Sequence, residues 1–87
     1  MVTNKSITRV QTGLRLEKRT LKVLKALAEY LDLSLGDLVE GMALHAFEGK
    51  APFSPKTRAV IAKLKDAYGL DLCAVDSHRL DEERDHD

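Results

Sequence analysis

The side chains of this 87-residue chain with the reactivity for covalent or metal chemistry are Cys73 and three histidines, His45, His78 and His86. Their spacing supports neither chemistry. A nucleophilic cysteine needs a base beside it and a third group to orient that base, and no such arrangement surrounds Cys73, so a small apolar filler is the expected role. His45 falls at the edge of an apolar helical stripe, where packing is expected. His78 and His86 stand among acids, without the one-turn spacing or cysteine partner of a zinc site. The sequence also shows no glycine-rich phosphate loop, no paired-carboxylate pocket and no metal cluster. The expectation is a protein that is not an enzyme, with no cofactor and no metal.

A different chemistry, the binding of polyanions, is suggested by where the charges lie. The formal net charge is zero, but residues 1–35 carry seven Lys/Arg against three Asp/Glu, and residues 71–87 carry two against seven. The head is therefore +4 and the tail −5. A helix expected over residues 18–31 has Lys18, Arg19 and Lys22 at its start and Glu29 and Asp32 at its end. The helix macrodipole favours the opposite order, by a few tenths to about 1 kcal/mol per charge. Cations at that end gain a purpose if Lys18, Arg19 and Lys22 contact phosphates.

The elements that must position these charges follow from periodicity. In ITRVQTGLRL, Val10, Thr12, Leu14 and Leu16 alternate with Arg9, Gln11, Gly13 and Arg15, the period-2 pattern of a strand with one apolar and one polar face. Leu21, Leu24, Leu27, Ala28 and Leu31 then recur at helical spacing, flanked by Val23, Ala26 and Tyr30. That face is wide enough for more than one contact. Ser34 with Asp37 opens a second helix, whose stripe runs Leu35, Leu38, Val39, Met42, Ala43, Ala46 and Phe47 to a stop at Gly49. Ser54-Pro55 opens a third, with Val60, Ile61, Leu64, Ala67 and Tyr68 on its apolar face and Gly69 at its end. The domain reading is a flexible N-terminus (1–6), a core (7–49), an additional helix (50–75) and an acidic, disordered tail (76–87). With no run of apolar residues for a signal peptide or membrane span, a cytoplasmic protein that does not enter membranes is expected.

A lone strand leaves its backbone groups unpaired, and this chain offers no second strand, so a second copy of the chain is the expected mate. The order strand, helix, turn ending in serine, helix resembles the ribbon-helix-helix DNA-binding proteins (the Arc, MetJ and CopG type). The likeness covers residues 8–47 and rests on VQTGLRL, LKVLKALAEYL and DLSLGDLVEGMALHAF. It implies a mainly α fold in which one strand from each copy forms an antiparallel ribbon in the DNA major groove. The outward residues Arg9, Gln11, Gly13 and Arg15 would make the base contacts, Arg to guanine and Gln to adenine. The start of the second helix, Ser34 and Leu35, would join Lys18, Arg19 and Lys22 in holding phosphates. The sequence departs from this pattern at Gly13, which lacks a reading side chain, and at Asp37 and Glu40, which bring the wrong sign to a phosphate anchor.

The function expected from sequence is a sequence-specific, homodimeric binder of double-stranded DNA, a transcriptional repressor or autoregulator, with higher assembly on DNA open to it. The competing expectation is a dimeric protein-interaction module, antitoxin-like, that takes a protein partner through the C-terminal helix and acidic tail.

Overall fold

The structure is a computed structural model and describes residues 4–82. The expectations for His86 and for residues 1–3 and 83–87 lie outside them. Three α-helices of 13 residues each follow one another: α1 (Lys18–Tyr30), α2 (Leu35–Phe47) and α3 (Pro55–Ala67). A short 3-10 turn, Ala74–Asp76, comes after them. The chain is thus mainly helical, as expected.

The strand expected over residues 7–16 is not formed. This segment has no regular secondary structure, and its backbone makes no backbone–backbone hydrogen bond among the described residues. The physical reason is that a β-ladder needs a neighbouring strand, and the described residues provide none. The segment is an exposed arm, held to α2 through Arg9. The radius of gyration is 15.1 Å, where a compact chain of this length has about 12 Å.

Each helix is bounded by local chemistry. Ser34 Oγ accepts the Asp37 N–H at 3.1 Å and Ser54 Oγ accepts the Thr57 N–H at 3.2 Å, with Pro55 in the first turn of α3. These are the serine caps read from sequence. The cap of α1 is Glu17, whose carboxylate accepts from the N–H groups of Thr20 (2.8 Å) and Arg19 (3.1 Å) and from Thr20 Oγ1 (2.9 Å). All three helices close in the same way, with a left-handed residue just past the end and a six-residue backbone bond behind it. Gly49 (φ 69°) and Gly69 (φ 66°) take that conformation cheaply, with Lys50 N donating to His45 O and Leu70 N to Lys65 O. After α1 the position is held by Asp32 (φ 57°), with Leu33 N donating to Ala28 O at 2.9 Å.

The core is small and centred on α1. Val23, Leu27 and Ala28 of α1 and Leu38 of α2 are its four buried side chains among the described residues. Leu24, Leu31, Met42, Phe53, Ile61 and Leu64 pack around them in part. α1 packs on both α2 and α3, so its wide apolar face does serve two surfaces. Ile61 and Leu64 bring α3 to the core as their spacing implied. Two packing expectations are corrected. Cys73 is exposed and fills no cavity. His45 is exposed too, its Nδ1 2.7 Å from Gly41 O one turn back.

Candidate nucleic-acid interface

The arm carries the four residues expected to face DNA bases. All of residues 4–16 are exposed. Gln11 and Gly13 make no hydrogen bond among the described residues, and a Cβ built on Gly13 would meet nothing within 4 Å. The two arginines are held. Arg9 Nη2 lies 2.7 Å from Glu40 Oε1 and 3.3 Å from Asp37 Oδ1, so the arm crosses the start of α2. The hydrogen bond to Glu40 is the main reason that the Arg9 guanidinium holds its proton more firmly than usual. Arg15 Nη2 lies 2.7 Å from Glu82 Oε1.

The residues expected to hold phosphates fall into three groups. Lys18 and Lys22, on the exposed side of α1, make no ion pair among the described residues. Arg19 is committed elsewhere. Its Nη1 donates to Gly69 O (2.9 Å) and approaches Asp71 Oδ1 (3.0 Å), while Nε donates to Glu17 Oε2 (3.1 Å). Arg19 therefore ties the start of α1 to the end of α3, and its guanidinium charge is reinforced chiefly by Glu17. At the start of α2, Ser34 spends its hydroxyl on the cap and Leu35 is half-buried. Helix starts attract anions through free N–H groups and the dipole, but the carboxylates of Asp37 and Glu40 stand in the first two turns of α2 and face Arg9.

Sequence reasoning missed two things. Glu17 offsets the dipole cost of the cations that follow it, because a carboxylate at the helix start is the favourable arrangement. The signal was an acid immediately before the first helical residue, three positions ahead of a threonine. The other omission, the engagement of Arg9 by Asp37 and Glu40, spans 28 and 31 residues and has no local signature.

The apolar half of the arm is equally exposed: Val10 by 83%, Leu14 by 68% and Leu16 by 44%. The second helix shows the same excess. Asp37 and Glu40 are its only charged residues, yet Leu38 is its only buried one, and Leu44 (62%) and Phe47 (81%) lie open. A helix apolar on nearly all sides belongs in an interior. No family model, curated protein or solved structure matches this chain. Among the described residues no three His, Cys, Asp or Glu side chains gather as a metal site, and no helix is long and apolar enough to cross a membrane.

Proposed function

We propose that the chain acts as a homodimer that binds double-stranded DNA, with the arms of two copies pairing as an antiparallel ribbon that enters the major groove. A transcriptional repressor or autoregulator is the role this suits. The observation that carries the reading is the exposure of one continuous class of side chain: Val10, Leu14 and Leu16 on the arm, with Leu44 and Phe47 on α2. Covering a large apolar side chain is worth about 1.5–3 kcal/mol, and a four-residue core leaves that stabilisation to be found. A second copy supplies it and pairs the arm's backbone in the same step.

Pairing sorts the arm by its period of two. The apolar set turns inward as the floor of a shared core. Gln11 and Arg15 turn outward with Arg9, and the twofold axis doubles them into one polar surface able to read guanine and adenine. Lys18 and Lys22 flank that surface as phosphate contacts, and the N–H groups at Ser34 and Leu35 add to them once Asp37 and Glu40 are offset. Arg19, bound to Glu17, Gly69 and Asp71, serves the fold first.

A second reading is favoured by a specific observation. Both arm arginines are paired with carboxylates, and Val75 (70%) and Leu80 (50%) are exposed near the C-terminal end. This suits a dimeric, antitoxin-like module that takes a protein partner through its C-terminal part. A titration against random-sequence duplex DNA at several salt concentrations separates the two. Phosphate binding gives an affinity that falls steeply as salt rises, with a log–log slope near −0.9 per phosphate neutralised. Absence of binding at low salt leaves the protein-partner reading.

A further inference from the structure

The two arginines on the polar face of the arm are engaged by different parts of the chain. Arg9 meets Asp37 and Glu40 at the start of α2, and Arg15 meets Glu82, 67 residues away. None of these contacts holds the core together. All the side chains involved are at least half exposed, Arg15 by 89% and Glu82 by 76%. The charge pattern agrees for Arg15, whose partner Glu82 belongs to the −5 segment and reaches the +4 segment. Carboxylates and phosphate oxygens are acceptors of the same kind for a guanidinium. Glu40 and Glu82 engage the guanidinium groups that phosphate or base acceptors would need.

We infer that the chain competes with DNA for its own arm, Glu40 and Asp37 holding Arg9 and Glu82 holding Arg15, so that a duplex must displace internal carboxylates before the arginines can act. This rests on the DNA-binding reading above. An exposed ion pair is weak, so each internal contact lowers affinity by only about one-and-a-half- to fivefold. That is too little to block a specific site carrying base contacts, but enough to thin out binding to random duplex. The effect belongs to low salt, because the Debye length shrinks from about 30 Å at 0.01 M to about 10 Å at 0.1 M.

The test compares three forms of the full chain on one random-sequence duplex at low and moderate salt: wild type, the double variant Glu40→Gln/Glu82→Gln, and the double variant Glu29→Gln/Asp66→Asn. Both doubles raise the net charge equally, but Glu29 and Asp66 make no ion pair among the described residues. All four positions are exposed, and circular dichroism verifies that each form is folded. The expected result is that Glu40→Gln/Glu82→Gln tightens low-salt binding about two- to tenfold, that Glu29→Gln/Asp66→Asn does so clearly less, and that the difference fades at moderate salt. Equal tightening by both doubles, or none by the first, overturns self-competition while leaving DNA binding in place. Failure of all three forms to bind duplex at any salt overturns the DNA-binding reading and the inference together.

Discussion

Glu40 of α2 reaches Arg9 of the arm at 2.7 Å, with Asp37 of the same helix turn at 3.3 Å from the same nitrogen. The first two turns of α2 thus hold a cation of their own chain through two carboxylates. Arg9→Ala removes this clasp, and with every partner at least half exposed the ion pair is weak. The variant is expected to melt within a few degrees of wild type and to show a more mobile arm by amide relaxation. A large loss of helicity would mean that the clasp holds α2 in place.

Glu17 caps α1, and its carboxyl is lowered to about 2 from an ordinary 4.5, first by the hydrogen bond from the Arg19 backbone and further by those from Thr20. A carboxyl more acidic in the folded chain than in the unfolded one stabilises fully above the unfolded value. That contribution is lost as pH falls from about 4.5 toward about 2. Glu17→Ala is expected to lower stability by about 1 kcal/mol at neutral pH and to flatten the dependence on pH across that acid window. Thermal melts of both forms at several pH values check it, and parallel curves would contradict it.

Asp32 occupies at φ 57° the position that Gly49 and Gly69 take at the ends of the other two helices. A residue with a Cβ is strained there, though aspartate tolerates it better than most. Asp32→Gly is expected to raise stability by about 0.5–1 kcal/mol with the fold unchanged, which denaturant titration can measure. Lower stability would mean that the aspartate side chain contributes something the glycine lacks.

Arg15 and Lys22 separate base reading from mere attraction. Arg15→Ala is expected to cost about 1–3 kcal/mol on a preferred site and to relax preference at one position per half-site. Lys22→Ala is expected to weaken binding to all sequences alike and to flatten the salt slope by about one unit. Selection from a random duplex pool, followed by titration of both variants, gives the comparison. The same uniform, salt-dependent loss from both would make the arm an electrostatic surface only.

The local parts of this structure were legible in the sequence. Ser34 and Ser54-Pro55 announced two helix starts, Gly49 and Gly69 two helix ends, and Leu27, Ala28 and Leu38 the core, because caps and apolar periodicity act within a few residues. The arm was legible as a pattern but not as a conformation. Alternation of Val10, Thr12, Leu14 and Leu16 is the pattern of a strand, but a ladder needs a neighbouring strand, and the described residues offer none. The long-range contacts left no trace. Arg19 was read as a phosphate ligand from its place in the first turn of α1, and only the fold brings Gly69 and Asp71 to it.

Sedimentation equilibrium of the intact chain across the micromolar range measures most directly whether the exposed arm and α2 await a second copy. The mass expected is twice the 9.7 kDa of one chain. Leu14→Pro, which removes a donor from the ribbon and bends its apolar face, is expected to lose the dimer and most of the cooperative fold together. A folded monomer of 9.7 kDa throughout that range would contradict the account.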